Sequence, residues 1–293
     1  MEERDRSLTR AALWMSGWLT LMVVMAVAGR EATGELAVFQ IMVLRSLIGL
    51  LLLYPLIHAG GGFGMLRTGR LGAHVARNTV HYAAQYGWFF AVTLIPLTQL
   101  VSIEFTMPLW VALLAAAFLG ERLTAWKILA VIFGIAGVAI VVRPDASSVG
   151  TGQLIALAAA IGFALSAVMV KSLTATERPV AIVFWMLVVQ SAIGLLPALP
   201  VWRWPSPVAW GWILVIAFAG TYSHYCMSRA MRHADATAVI PMDFLRVPLT
   251  TAVGWLLYAE RIDRYTVLGA ALILGGNLLN LRRPPVVTIP VRT

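Results

Sequence analysis

The sequence predicts an all-α polytopic membrane protein: ten transmembrane helices as two inverted five-helix repeats. Three observations carry this. Hydrophobic residues make up 60% of the 293-residue chain and charged residues 12%, against about a quarter charged in soluble domains. The apolar residues fall into long runs near the ~20 residues that a bilayer core demands. Finally, the chain repeats itself. Leu119-Gly120-Glu121-Arg122 opens an apolar run reaching Val142, and Tyr258-Ala259-Glu260-Arg261 opens another reaching Leu281. Pro108 and Pro248 precede the two Glu residues by about one helix length. Five spans per half is an odd number, so the second half enters the membrane from the opposite side.

The spans follow in order. The first, 11–30, is preceded by Arg4, Arg6 and Arg10. Its Ala26-Val27-Ala28 resembles a signal-peptidase site, but the run from Ala11 to Gly29 is longer than a usual signal core, so a retained helix is expected. Spans 36–58 and 72–94 are separated by the glycine-rich stretch 59–71, and 97–119 and 124–142 by the Glu121-Arg122 corner. Arg143–Gly150 (RPDASSVG) divides the chain into 1–145 and 146–293. The second half then holds spans 151–172, 180–200, 208–231, 235–258 and 264–282. None alternates with period two, which excludes membrane β-strands. No stretch is left for a soluble domain.

Lys and Arg set the orientation. With a cytoplasmic N-terminus, inner segments and helix ends hold fifteen, Arg77 among them, and the outer side five: Arg30, Arg143, Arg203, Arg261 and Arg264. This bias predicts two cytoplasmic termini. The net charge of +9 is therefore topology rather than a nucleic-acid face. Cys226 is the one cysteine, which excludes an internal disulfide and an all-Cys metal site.

An offset of 139 superposes Glu121-Arg122 on Glu260-Arg261, Leu129 on Leu268, Gly137 on Gly276 and Gln85-Tyr86 on His224-Tyr225. Pro108-Leu109 meets Pro248-Leu249 at offset 140. Two such halves, each with a proline-bearing fourth helix, a Glu-Arg corner and a small-residue fifth helix, resemble the ten-helix EamA-type members of the drug/metabolite transporter superfamily. Within it they look most like YddG-type bacterial exporters of amino acids and related metabolites. The resemblance implies a secondary transporter of the bacterial inner membrane. Small metabolites, amino acids foremost, would be exported by alternating access through a cavity between the repeats. It implies no cofactor. The partners it implies are a small-molecule substrate and the bilayer, with a monomer or a dimer as the assembly.

Candidate site residues lie where polar groups stand inside spans. On the third, His74, Asn78, His81 and Gln85 recur at spacings of four, three and four, which places them on one face. Tyr82 and Trp88 flank this stripe. It is either a wall of the cavity or interhelical hydrogen-bonding. Tyr222 and His224 are the better candidates on the eighth span, and Trp185 is a candidate apolar wall. Arg45, Glu104, Asp243 and Arg246 are charges within spans, each costing about 2.5–3.5 kcal/mol at mid-helix if unmatched. Asp243 and Arg246 are three apart and can pair. Arg45 and Glu104 are expected at similar depth and could pair across helices. These four either neutralise one another or meet substrate and protons.

Glu121 and Glu260 are expected to cap the helices that follow them. Pro108 and Pro248 are expected to kink the fourth and ninth helices mid-span and serve as gates. Small residues, Ala156-Ala160-Ala164 and Ala158-Gly162-Ser166, mark close packing on the sixth span.

Other chemistries lack their signatures. His74, Asn78 and His81 have no carboxylate or Cys at ligand spacing, so no metal site is expected. No Walker G-x-x-x-x-G-K-[ST] and no His-Glu-x-x-His is present. An aspartyl pair would need a second Asp inside a span beside Asp243. A channel would show a pore filter or charged rings. The alternatives left are an intramembrane enzyme and a carrier of lipids, nucleotides, sugars or drug-like cations.

Overall fold

A computed structural model describes residues 2–92, 94–95, 103–121, 123–142, 150–258 and 264–280. Ten long helices stand among the described residues: α1 (Glu2–Thr33), α2 (Val38–Ala59), α3 (Leu71–Val92), α4 (Met107–Leu119), α5 (Ala125–Val142), α6 (Thr151–Leu173), α7 (Pro179–Ala198), α8 (Pro207–His233), α9 (Arg246–Tyr258) and α10 (Arg264–Asn280). Four of the helices are long and apolar enough to cross a membrane, within Ser7–Thr33, Val38–Ala59, Thr151–Leu173 and Pro179–Val201. Met107–Leu119, Ala125–Ile140 and Val267–Gly276 are shorter apolar helices. α3 and α8 have the length but carry His74, Arg77, Asn78, His81 and Gln85, and His224, Ser228 and Arg229, within it.

The packing follows the duplication. α1 lies along α8 and α3 along α6, a pairing that maps onto itself when the halves are exchanged. α2 pairs with α7, and α5 with α10, each with its own counterpart. The α5–α10 contact shows the symmetry atom by atom. A Cβ on Gly137 would lie 2.6 Å from the Gly269 oxygen and 3.2 Å from the Ile273 nitrogen. A Cβ on Gly276 would lie 3.0 Å from the Ala130 oxygen and 3.5 Å from the Gly134 nitrogen. Each atom of the first set maps onto the second by the offset of 139. Both glycines are needed because the backbones touch. The small-residue stripe of α6 serves the same purpose within the molecule: a Cβ on Gly162 would sit 2.9 Å from the Ala84 Cβ of α3.

The fourth and ninth spans depart from expectation. Neither proline kinks a continuous helix. The chain is helical at Ile103–Glu104, turns through Phe105–Thr106, and begins α4 at Met107, with Pro108 in the first turn. In the second half a short helical turn, Ala236–Val239, leads into a 3-10 stretch, Ile240–Leu245, and α9 begins at Arg246 with Pro248 third. The first N–H groups of a helix have no intrahelical acceptor, so proline costs nothing there. The two prolines therefore start the second segments of broken helices.

Glu121 is a cap, but of a helix in the other half rather than of α5. Its carboxylate accepts from the Ala236 N–H at 2.9 Å, the Thr237 N–H at 3.0 Å and the Thr237 hydroxyl at 2.7 Å. Lys127 donates to Asp235 at 3.0 Å beside it. Glu260, its counterpart, lies outside the described residues. A second clasp joins the α1–α2 turn to the start of α8, where the Ser206 N–H and hydroxyl both donate to Glu35. The hydroxyl first and the N–H second hold the Glu35 carboxyl below its ordinary value of 4.5.

Glu121→Ala leaves the Ala236 and Thr237 N–H groups without their acceptor. It is expected to lower stability by about 2 kcal/mol, as for hydrogen bonds to a charged group. A thermal melt of the purified protein reads this, and an unchanged melt would remove the clasp from the account.

Candidate functional site

Between the halves lies a cavity of about 180 Å³. α1, α2, α3 and the segment 104–107 line it from the first half; α6, α7, α8, the 3-10 stretch and α9 line it from the second. Among the described residues, none from α5 or α10 lines it. Its lining is split by chemistry. Six methionines, Met22, Met25, Met107, Met186, Met227 and Met231, make half of the twelve in the chain. Thioether side chains adapt to the shape of what they meet. Beside them stand three arginines, two carboxylates and two histidines.

Arg246 sits between two carboxylates. Its Nη2 lies 3.1 Å from Glu104 Oε1 and 3.0 Å from Asp243 Oδ2. Two indoles complete the carboxylates: Trp18 Nε1 donates to Asp243 Oδ1 and Trp88 Nε1 to Glu104 Oε2, each at 2.8 Å. The expected Asp243–Arg246 pair is thus present, but Glu104 pairs with Arg246 rather than with Arg45. The offset of 139 explains why. It maps Glu104-Phe105 onto Asp243-Phe244, so the two carboxylates are counterparts. Phe105 and Phe244 stack with ring centroids 5.8 Å apart at an angle of 22°. Each carboxylate stands at the break of its helix, where the chain turns and the side chain reaches the centre.

Arg45 instead donates to Gln190 Oε1 at 3.2 Å. Arg77, which the sequence places near a cytoplasmic end, is buried and lines the cavity. Its Nη1 donates to Asn78 Oδ1 at 2.6 Å, and Asn78 Nδ2 donates to the His74 carbonyl at 2.8 Å. His81 and Gln85, farther along the same stripe, face the cavity. His81 meets His224 across α3 and α8 with centroids 5.7 Å apart, and Trp18 meets His224 at 5.6 Å. Ser166 Oγ lies 3.3 Å from His81 Nδ1.

Of the sequence candidates, His81, Gln85, His224, Asp243, Arg246, Arg45 and Glu104 therefore line one cavity. Trp88 stands behind Glu104, and Asn78 behind Arg77. Tyr82, Trp185 and Tyr222 do not line it. Tyr82 is buried, its hydroxyl 3.0 Å from where a Cβ on Gly194 would stand. Trp185 donates to the Leu66 carbonyl at 3.0 Å, and Tyr222 to the Leu52 carbonyl at 2.9 Å. Sequence reasoning missed Arg77, Trp18, Gln190 and the methionines. For Arg77 a signal was present: it precedes Asn78 and stands one turn before His81 on the polar face.

A ten-helix membrane protein whose two halves enclose a cavity lined by apolar and charged side chains is a membrane carrier in form, and the comparisons agree. The chain belongs to the EamA-like transporter family, whose model matches it twice, at 9–143 and 150–282. It is 32% identical over 242 residues to a riboflavin transporter of Brucella anthropi, covering 80% of this chain and 85% of the relative. It is 23% identical over 266 residues to an S-adenosylmethionine uptake transporter of Rickettsia felis, covering 89% and 90%. It is 29% identical over 261 residues to the pseudopaline exporter of Pseudomonas aeruginosa, covering 86% and 88%. A solved crystal structure shares the fold, with a TM-score of 0.79 at 20% identity, covering 92% of this chain and 96% of the other. The protein is a multi-pass membrane transporter for a small molecule, not an enzyme.

The three charges at the helix breaks act as a unit. Arg246→Gln leaves two carboxylates facing each other and should cost about 3–5 kcal/mol of stability. Asp243→Asn, which leaves the Glu104 pair intact, should cost less. Asp243→Asn with Arg246→Gln should recover little, because Glu104 is still charged; adding Glu104→Gln should restore folding. Folded yield and melting temperature measure this series. Full recovery in the double variant would show that Glu104 is not coupled.

Proposed function

We propose that the chain is a secondary transporter of the bacterial inner membrane that moves small charged metabolites, amino acids among them, by alternating access through the central cavity. The observation that carries this is the cavity itself. It is walled by both repeats and presents both signs of charge beside a methionine lining. Such a wall suits a zwitterion with an apolar side group. His81, Gln85, His224, Asp243 and Arg246 are the proposed substrate contacts, and the breaks before Pro108 and Pro248 the proposed hinges. Amino-acid export, as the resemblance implies, is one case of this reading. A larger heteroaromatic substrate is a second. It is favoured by Trp18 and Phe163 in the wall and by riboflavin transporters, 32% and 30% identical to the chain, among the relatives.

The halves are proposed to divide at 145–146, with both termini cytoplasmic. Moving Arg77 from the inner tally to the protein interior leaves fourteen inner Lys and Arg against five, still a positive-inside bias.

Counterflow into proteoliposomes, with radiolabelled amino acids, riboflavin and S-adenosylmethionine as separate arms, tests the reading. At least one arm should show saturable exchange. His81→Ala and Gln85→Ala should each lower it by about tenfold, the worth of one hydrogen bond to substrate, with membrane abundance unchanged. Full activity in both variants, or no exchange in any arm, would overturn the proposal. Separately, a C-terminal phosphatase/fluorescent-protein reporter pair should report the cytoplasm; an external signal would reverse the orientation.

A further inference from the structure

The cavity holds more positive charge than its own side chains neutralise. Glu104, Asp243 and Arg246 form one ion-paired group with one carboxylate in excess, so three arginines face two carboxylates across the whole lining. Arg45 and Arg77 remain, 7% and 4% exposed, both lining the cavity. Neither has a carboxylate partner among the described residues. Each has one side-chain acceptor, and in both cases it is a neutral amide oxygen: Gln190 for Arg45, Asn78 for Arg77. The Nε of each is buried and without a hydrogen-bond partner.

An amide oxygen orients a guanidinium without cancelling its charge, and buried charges elsewhere in proteins are paired. The supports are themselves built in. Asn78 is fully buried and tied to the His74 carbonyl, and Gln190 is 2% exposed. α8 also comes close to Arg45: a Cβ on Gly220, one turn before His224, would lie 3.1 Å from Arg45 Nη1. Two fixed guanidinium groups lining one cavity, with donors to spare and no anion of their own, offer the fork geometry that holds carboxylates and phosphates.

We propose that Arg45 and Arg77 form an anion subsite of the cavity, which takes the carboxylate or phosphate group of the transported metabolite. This rests on the reading of the cavity as the transport site. The ligand's anion completes the charge balance of the wall, and its remaining surface lies toward the methionines and Trp18. Gln190 and Asn78 are positioning residues that aim the two guanidinium groups.

Thermal stabilisation of the detergent-purified protein tests this with three probes of similar shape: benzoate, phenyl phosphate and neutral benzamide. The wild type should respond to an anionic probe at a concentration about tenfold lower than to benzamide, as for one charge-assisted bond. R45Q and R77Q should lose that difference, and R45K and R77K should keep part of it. Without ligand, the glutamine variants should melt no lower than wild type, because the charge they remove is unpaired; a structural role predicts a lower melt. A response to benzoate alone assigns a carboxylate, and to phenyl phosphate alone a phosphate. A wild type that does not distinguish anions from benzamide overturns the subsite, as do glutamine variants that keep the full difference. If a glutamine variant does not fold, the wild-type comparison and the lysine variants decide. Counterflow that fails in every arm while the anion response persists overturns the transport reading and leaves the subsite standing.

Discussion

One arginine between two carboxylates organises the centre of this protein. A bilayer core offers no water to a buried charge, so Glu104, Asp243 and Arg246 must find one another or be expelled. Their meeting imposes geometry on the rest. Glu104 belongs to the first repeat, Asp243 and Arg246 to the second, so the halves must close on each other at this point. The carboxylates reach the centre because helices four and nine are broken there. Trp18 and Trp88 supply the remaining donors, which fixes α1 and α3 around the same point. The duplication provides two carboxylates and two phenylalanines at equivalent positions, but a single arginine.

The ends of the helices are tied by a different device. Glu121 grips the first N–H groups of Ala236–Val239, and Glu35 the N-cap residue of α8, Ser206. Arg70 holds α6 from the start of α3, donating to the Ser172 carbonyl and hydroxyl, each at 3.1 Å. In all three the acceptor or donor set includes backbone at a helix end, where such groups are left over. Side chains at the helix ends therefore join the halves to each other, while the interior is left to small-residue packing and to the cavity.

Much of this architecture was legible in the sequence. Apolar run length gave the ten spans, and the i, i+3 spacing gave the Asp243–Arg246 pair. The polar face of α3 was visible as a stripe, and the repeat as matched Glu and Gly residues. What failed to show depended on direction around a helix axis or on breaks within it. Arg45 and Glu104 were matched by depth alone, and depth does not say which way a side chain points. Arg77 falls among the cytoplasmic helix ends because it stands near the start of its helix. Pro108 and Pro248 suggest kinks because the turn at Phe105–Thr106 carries no strong breaker of its own, and because Pro241, inside the 3-10 stretch, stands near the start of its expected span. More than half of the cavity lining is methionine and other apolar side chains, which no pattern separates from ordinary core.

The glycine contact between α5 and α10 has a consequence for biogenesis. Those two helices touch backbone to backbone at Gly137 and Gly276, yet roughly 120 residues lie between them along the chain, a stretch that takes about 6–24 s to synthesise at ordinary ribosomal rates. Throughout that interval the face of α5 that carries Gly137 lacks the helix it packs on in the finished fold. α10, the last of the described helices, is the one that covers it. The seam is therefore completed only once α10 has been made, and a chain stopped short of residue 264 would present to the quality-control machinery a glycine face without its partner.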